Sequence, residues 1–220
     1  AEKPAEKPAE KPAEKPAEKP AERSGEKSAG DDQPGEEPAG DDQPSLDRIE
    51  YAQPVVFALS YALARWLADL GVEPDAVLGH SAGEYAAAVV AGVLELEEAA
   101  RLVVRRGELM AKAPPGRMAA VFAGEARVRE ALSLVQGAVS IAALNEPDQT
   151  VVSGASEDLD RLLALLREGG VESRLLTVGC AAHSPLMSGA AAAFREDLAL
   201  VSPRPPRLPL YSTQIGARVA

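Results

Sequence analysis

Cysteine, histidine and long apolar runs are scarce in this chain, and their scarcity excludes several kinds of site. Cys180 is the only cysteine among 220 residues, so one chain cannot build a disulfide framework, a cysteine-based zinc site or an iron–sulfur cluster. With only two histidines, His80 and His183, there are few candidates for an imidazole base. No apolar stretch approaches the roughly 18 residues of a membrane span, and the hydrophilic first residues hold no signal-peptide core. We therefore expect a cytoplasmic protein.

Residues 1–44 lack every large apolar side chain, which excludes them from a hydrophobic core. Five copies of Ala-Glu-Lys-Pro fill residues 1–20, and two copies of Ala-Gly-Asp-Asp-Gln-Pro follow. Because proline at every fourth position removes helix hydrogen bonds, this segment is predicted to be a disordered, extended linker. It would serve either as a spacer between modules of a larger assembly or as a solvated low-complexity tail.

Basic residues are outnumbered, and the formal net charge of the chain is −11. Residues 45–220 hold 21 acidic and 16 basic residues, so this part is mildly acidic. The balance argues against nucleic acid and anionic membranes as partners. A polyanionic ligand would need a local cluster of cations.

The pattern Gly79-His80-Ser81-Ala82-Gly83 places a serine between two glycines, after a short apolar run and before a helix-prone stretch. Strand, sharp turn and helix in that order predict a nucleophile elbow. The turn would expose the Ser81 hydroxyl and leave the amide of Ala82 free to stabilise an oxyanion. The alternative is that Ser81 caps the following helix.

Two helices are predicted on either side of the elbow. Residues 53–70 place Leu59, Leu63, Trp66, Leu67 and Leu70 on one apolar face. A helix over 95–112 sets Arg106 at the edge of its buried face, whereas Arg105 points away.

The stretch 117–179 changes character and is predicted to be a small subdomain. Strands near 118–123, 139–145, 150–153 and 171–178 alternate with two amphipathic helices, the second capped by Ser156. The order β-α-β-β-α-β is ferredoxin-like. A last strand is predicted over 208–212. The predicted fold class is α/β, with a hydrolase-like large subdomain and this ferredoxin-like small one.

Six stretches, in this order, are typical of one family of enzymes: Tyr51-Ala52-Gln53-Pro54, Gly79-His80-Ser81-Ala82-Gly83-Glu84, Arg105-Arg106-Gly107, Ala143-Leu144-Asn145-Glu146-Pro147, Ala182-His183-Ser184-Pro185-Leu186-Met187 and Leu210-Tyr211-Ser212-Thr213. Over about residues 48–219 the sequence resembles the acyltransferase domain of type I polyketide synthases, which is related to malonyl-CoA:acyl-carrier-protein transacylases.

The resemblance implies covalent transfer of an acyl group. Ser81 would accept the acyl group from a coenzyme A thioester, with His183 as the general base and Ala82 in the oxyanion hole. The phosphopantetheine thiol of an acyl carrier protein would then take the group. The implied partners are acyl-CoA, that carrier protein and neighbouring synthase domains, with no bound cofactor and no metal.

The resemblance also assigns the substrate pocket. Arg106 matches the position whose guanidinium binds the free carboxylate of malonyl-type substrates, and its bidentate fork suits that role. The matching pocket-lining positions are Gln53, His80, Asn145 and Ala182.

Each pocket position keeps an alternative. Arg106 could pair with Glu84, Gln53 could be a helix-start residue and Asn145 a turn residue. His80 is expected to be directed away from the nucleophile in a structural role, and Glu84 to stabilise the helix dipole rather than to act in catalysis.

Two departures from the family are expected to matter. The family's first strand, which ends in a Gly-Gln-Gly turn beside the oxyanion hole, has no counterpart before Ser45, and the last third of the domain has none after Val219. We therefore expect a partial domain, in which loss of the second oxyanion donor lowers the rate about 10²- to 10³-fold. The motif Cys180-Ala181-Ala182-His183 matches neither common specificity form. The small Ala182 favours malonyl-CoA or a substituted malonyl-CoA.

Two rival functions remain open at this point. A serine hydrolase would need an acid between Ser81 and His183 in the sequence. Asp158 and Asp160 lie in that interval, but they are at the start of a helix of the small subdomain. A catalytically incompetent synthase fragment would act only in docking to other domains.

Overall fold

A computed structural model describes residues 45–219, which belong to one compact unit. The predicted linker, residues 1–44, lies outside the described residues, as does Ala220. In the part that is described, no helix is both long enough and apolar enough to cross a membrane.

The large subdomain brings together helices from both ends of the described chain and a three-stranded sheet. Before the insert its elements are α1 (Ile49–Asp69), β1 (Val77–Gly79), α2 (Gly83–Val90) and α3 (Leu96–Ala111). After the insert come a short 3₁₀ turn (Pro185–Met187), α6 (Ser188–Leu198), β6 (Leu210–Ser212) and β7 (Ala217–Arg218). The strand order is β1-β6-β7, with β1 parallel to β6 and β6 antiparallel to β7. Because β1 and β6 are parallel, the segments that follow both strands leave the sheet at the same edge.

The small subdomain is a four-stranded antiparallel sheet with two helices. Its elements are β2 (Arg117–Val121), α4 (Glu125–Leu132), β3 (Val139–Glu146), β4 (Gln149–Gly154), α5 (Ser156–Glu168) and β5 (Ser173–Leu175). The strand order β3-β4-β2-β5 is that of a ferredoxin-like unit, as the sequence pattern predicts. The core is aliphatic, and its fully buried members include Val121, Val128, Val152, Leu159, Leu162 and Leu166.

The predicted cap of α5 is wrong by one position. Ala155 occupies the N-cap, and Ser156 is the first helical residue with no side-chain capping bond. Asp158 in the first turn is buried and accepts a 2.7 Å hydrogen bond from the amide of Ala138. The short Ser156 side chain is therefore not needed to hold this end of the helix.

The apolar face of α1 is largely exposed. Leu59, Trp66 and Leu70 are 59%, 58% and 62% exposed, whereas the buried residues of α1 are Gln53 and Phe57. Helices α2 and α3 pack on α1, and a groove of about 760 Å³ opens between α1, β1 and α2. Periodicity identified an apolar stripe, but it does not say which element covers it.

Candidate active site

The turn between β1 and α2 has the backbone of a nucleophile elbow. Ser81 has φ of 51°, in the left-handed region that side chains other than glycine rarely adopt. Gly79 lets the strand approach the helix, since a Cβ there would overlap the carbonyl oxygen of Gly83 and the backbone of Glu84. A Cβ at Gly83 would meet nothing within 4 Å. Of the two glycines in the pattern, only Gly79 is therefore sterically required.

We expect Gly79→Ala to lower the free energy of unfolding by about 2 kcal/mol, because the added methyl group must push α2 away from β1. Gly83→Ala should leave stability unchanged or raise it by up to about 1 kcal/mol, since Gly83 opens a helix and alanine favours helix. Urea unfolding followed by circular dichroism measures both. Equal midpoints for the two variants would contradict the assignment of the close approach to Gly79.

His183 follows the small subdomain in the sequence, and its side chain contacts the elbow. Its Nε2 atom lies 2.9 Å from the Oγ atom of Ser81, although the two residues are 102 positions apart. His183 also has a left-handed backbone, with φ of 61°. The following residue braces this turn: the Ser184 hydroxyl donates to the carbonyl of Ala181 at 2.7 Å and accepts from the amide of Leu186 at 3.2 Å. The histidine ring is thus held by a strained but hydrogen-bonded turn.

Arg106 on α3 reaches the same hydroxyl. Its Nη2 atom donates to Ser81 Oγ at 3.3 Å, and its Nη1 atom donates to the side-chain oxygen of Gln53. Gln53 is buried and its own amide donates to the sulfur of Met110 at 3.1 Å. Gln53 therefore stands behind Arg106 and orients the guanidinium, and its place in the wall of the pocket stays a prediction.

The neighbouring arginine behaves differently. Arg105 is on the opposite side of α3, where its Nε atom donates to Asp197 of α6 at 3.2 Å, as the helix periodicity predicts. Within residues 45–219, no carboxylate forms an ion pair with Arg106. The alternative pairing with Glu84 does not occur, because Glu84 accepts its hydrogen bonds from the segment after β6. Arg106 is a half-buried cation without a counter-ion in the described part of the chain.

Burial changes the pKa values of three side chains in the site. It is the main cause that lowers the pKa of Arg106, and arginine nevertheless keeps its proton. Burial raises the pKa of the Tyr85 phenol, which stays neutral beside it. The pKa of His183 is lowered below its usual 6.5, first by desolvation and then by electrostatic interaction with Arg106 and His80. His183 is therefore neutral, and able to accept a proton, at neutral pH.

We expect the rate of Ser81 acylation at low acyl-CoA concentration to rise with pH and to level off with a midpoint below 6.5. The neutral imidazole is the base, so a lower pKa keeps it available at lower pH. The measurement is the initial rate of mass gain by the protein between pH 5 and pH 8. A midpoint at or above 6.5 would contradict the direction assigned to His183.

The three side chains open into a cavity of about 590 Å³. Two of the predicted pocket-lining residues, His80 and Asn145, contribute to its wall. Ala182 is not among the residues that line this cavity, and its role in shaping the pocket stays a prediction. The wall also includes residues from the ferredoxin-like insert and from the loop after β6, namely Ala142, Ala143, Leu144, Thr213 and Gln214.

A smaller cavity of about 190 Å³ adjoins Arg106 and His183. Its other lining residues are apolar or aromatic: Tyr85, Leu109, Met110, Met187, Ala190, Ala191 and Phe194. The guanidinium of Arg106 thus lies between the 590 Å³ cavity, whose wall includes both polar and apolar residues, and a narrower cavity that is mainly apolar.

The amide of Ala82, at the N-cap of α2, has no acceptor within residues 45–219. It follows the nucleophile directly, which is where an elbow supplies an oxyanion donor. The Nδ1 atom of His183 likewise has no hydrogen-bond partner in the described range.

The two aspartates between Ser81 and His183 in the sequence are occupied elsewhere. Asp158 pairs with Arg161 and with the amide of Ala138, and Asp160 pairs with Arg117 at 2.5 Å. Neither contacts His183, so the Ser, Asp, His order of a serine hydrolase is not assembled. Nor do the described residues contain a cluster of three or more His, Cys, Asp or Glu side chains that could hold a metal ion.

Sequence patterns did not indicate several supporting residues. Ser140 of β3 donates to the carbonyl of His183 at 3.4 Å, and this contact ties the insert to the histidine turn. Ser184 and Thr213 were present in the motifs, but only as neighbours of other residues, and Gln214 was in none of them. Their contacts join distant parts of the chain, and no local spacing encodes them.

Known proteins are similar to this chain in sequence. The profile of the acyl transferase domain matches residues 18–219. Erythronolide synthase EryA3 of Saccharopolyspora erythraea is 42% identical over 172 residues, which are 78% of this chain and 5% of the synthase. The PKS-NRPS hybrid synthetase acdB of Aspergillus candidus is 44% identical over 175 residues, or 78% of this chain and 7% of the synthetase.

Solved structures give the same result. The acyltransferase domain from the second module of the salinomycin polyketide synthase is similar with a TM-score of 0.77 and 43% identity, over 80% of this chain and 42% of that chain. The malonyl CoA-acyl carrier protein transacylase of Coxiella burnetii is similar with a TM-score of 0.71 and 36% identity, over 75% of this chain and 55% of that chain.

The fold and the site therefore define an α/β acyltransferase-type domain, and the predicted fold class is confirmed. The chain belongs to the acyl transferase domain family and corresponds to part of the acyltransferase domains of polyketide synthases. It spans about two fifths of the length of the salinomycin synthase domain.

Proposed function

We propose that this chain transfers a malonyl-type acyl group from coenzyme A to the phosphopantetheine thiol of an acyl carrier protein, through an ester on Ser81, in polyketide biosynthesis. The observation that carries the proposal is the hydroxyl of Ser81, which lies 2.9 Å from His183 Nε2 and 3.3 Å from a half-buried Arg106 that has no carboxylate partner in residues 45–219. A nucleophile, a base and an unpaired cation meet at one oxygen atom.

The first half-reaction loads the serine. His183 Nε2 accepts the hydroxyl proton while Oγ attacks the thioester carbonyl, and the amide of Ala82 donates to the developing oxyanion. When the carbon–sulfur bond breaks, the imidazolium of His183 returns the proton to the departing thiolate of coenzyme A. The second half-reaction runs in the opposite direction: the carrier thiol gives its proton to His183, attacks the ester carbonyl, and Ser81 leaves and is reprotonated.

The substrate class follows from Arg106. A guanidinium that is partly desolvated and has no protein counter-ion is stabilised by a carboxylate on the substrate, and its planar fork matches that group. This favours malonyl-CoA or a substituted malonyl-CoA over a monocarboxylic acyl-CoA. The room for a substituent lies in the 190 Å³ cavity beside Arg106, lined by Phe194 and Met187, rather than at Ala182.

The remaining assignments accompany this function. The chemistry uses the coenzyme A thioester as substrate and needs no resident cofactor or metal. The partners would be a phosphopantetheinylated carrier protein and the neighbouring synthase domains, in the cytoplasm where acyl-CoA is available. The domain organisation, with a linker over 1–44, a partial acyltransferase domain over 45–220 and a small subdomain over 117–179, stays a prediction.

The decisive experiment is a two-step mass measurement on the full chain. Incubation with a panel of acyl-CoAs should add the mass of a malonyl-type group to the protein, and later addition of pantetheine should remove it as the acyl-pantetheine. Release as free acid at the same rate with and without pantetheine would indicate a hydrolase. A protein mass unchanged by every acyl-CoA would favour the docking fragment and contradict the proposed transfer.

A further inference from the structure

Glu84 makes an unusual number of contacts for a residue in the first turn of a helix. One carboxylate oxygen, Oε1, accepts from the Ser212 hydroxyl at 2.9 Å, the Thr213 amide at 2.9 Å, the Thr213 hydroxyl at 3.0 Å and the Gln214 amide at 3.3 Å. All four donors belong to the last residue of β6 and the two residues after it, about 130 positions further along the chain.

This segment ends β6 and enters the turn of the β6–β7 hairpin, in which Ser212 pairs with Ala217 and the Gly216 amide donates to the Ser212 carbonyl at 3.0 Å. The last paired residues of β1 and β6 are Gly79 and Ser212, and beyond them the two chains separate. Besides Glu84 and the strand pairing, Thr213 and Gln214 form a 3.3 Å bond from the Thr213 hydroxyl to the Gly79 carbonyl and a 3.1 Å bond from the Gln214 amide to the Ser212 hydroxyl. Charge-assisted hydrogen bonds to a carboxylate are about twice as strong as neutral ones, so Glu84 is the main tie between this segment and α2.

The anchored segment is part of the active-site wall. Thr213 and Gln214 line the 590 Å³ cavity together with Ser81, His183 and Arg106. Glu84 therefore connects the helix that follows the nucleophile to the opposite wall of the cavity. Its carboxylate touches neither Ser81 nor His183 by hydrogen bond in the described residues.

We propose that Glu84 is a positioning residue: its carboxylate fixes the Ser212–Gln214 segment as the cavity wall against which the acyl-CoA substrate is placed. The substrate part of this statement rests on the proposed transfer function. Glu84 acts through the segment and not on the reacting atoms, so its loss should weaken substrate placement more than the chemical step.

Glu125 provides a matched control for the helix-dipole alternative. It also stands in the first turn of an eight-residue helix, α4, but its hydrogen bond joins only Arg129 on the same helix. If Glu84 only stabilised the dipole of α2, alanine at either position should have the same small effect.

The first test uses the protein without any substrate. Amide hydrogen exchange at Thr213 should be at least about 10-fold faster in Glu84→Ala than in the parent chain, because this amide loses its acceptor, whereas the Gln214 amide keeps its bond to the Ser212 hydroxyl and should change less. Glu84→Gln, which keeps an acceptor oxygen without the charge, should lie between the two, and Glu125→Ala should match the parent. Exchange at these amides that is unchanged in both Glu84 variants would overturn the proposal, whatever the activity of the chain.

The second test measures loading of Ser81 by malonyl-CoA. In Glu84→Gln and Glu84→Ala, the concentration for half-maximal loading should rise about 10-fold, while the maximal rate falls less than about 3-fold. Thr213→Val should reproduce part of the rise, and the combination of Thr213→Val with Glu84→Gln should give less than the product of the two effects, since both remove the same contact.

The outcomes separate this proposal from the proposed function. A parent chain that does not load malonyl-CoA contradicts the transfer function, and the exchange measurement still decides the role of Glu84. A parent that loads normally, with a Glu84 variant that loses only maximal rate, contradicts the positioning role and leaves the transfer function standing.

Discussion

Ser81→Ala is expected to abolish the mass gain that malonyl-CoA gives to the parent protein. No other nucleophile lies where His183 Nε2 can take its proton, because that atom is 2.9 Å from Ser81 Oγ and makes no second hydrogen bond in the described residues. Alanine removes the atom that would carry the ester, so the expected loss is complete rather than partial. Intact-protein mass spectrometry after incubation with malonyl-CoA gives the readout.

Ser133 provides a control for nonspecific acylation in this experiment. Ser133 is exposed, and its hydroxyl donates only to the carbonyl of Glu130 at the end of α4. Ser133→Ala should load as the parent does. If Ser81→Ala retains the added mass, the acyl group resides on another residue, and the assignment of Ser81 as nucleophile fails.

Arg106→Ala is expected to lower the efficiency of malonyl-CoA loading by about 10²-fold, and that of acetyl-CoA loading by less than about 5-fold. The first figure corresponds to the loss of a charge-assisted pair of hydrogen bonds to a partly buried carboxylate, about 3 kcal/mol. The acetyl group has no carboxylate. The decrease in acetyl-CoA loading therefore reports only the contacts that Arg106 makes with Ser81 and Gln53. The ratio of the two efficiencies isolates the carboxylate.

Arg105→Ala is the control, because Arg105 is the preceding residue on the same helix and pairs with Asp197 on its other side. It should leave the ratio of malonyl to acetyl loading unchanged. Equal losses for malonyl-CoA and acetyl-CoA in Arg106→Ala would remove its role in carboxylate binding, even if both losses were large.

The parts of this site that local sequence predicted are those encoded by short spacing. The elbow depends on five consecutive residues, and the direction of Arg106 depends on the helical period, which also separates it from Arg105. The β-α-β-β-α-β order of the insert follows from alternating periodicity.

Local sequence could not give the placements that depend on contacts between distant elements. Gln53 was expected in the pocket, but the packing of α1 on α3 places it behind Arg106. Ala182 is next to His183 in the sequence, but only His183 lines the 590 Å³ cavity. The leucine stripe of α1 has the spacing of a buried face and is exposed, because burial is a property of neighbours and not of the helix alone.

Both ends of the Ser81–His183 hydrogen bond sit on left-handed backbone, at φ of 51° and 61°. Each such residue costs of order 1 kcal/mol that glycine would not. Glycine at either position would remove this cost. A domain that served only as a docking surface would gain stability from that substitution. The sequence instead holds a hydroxyl and an imidazole at these two costly positions, which is the loss of stability that the proposed transfer chemistry would require.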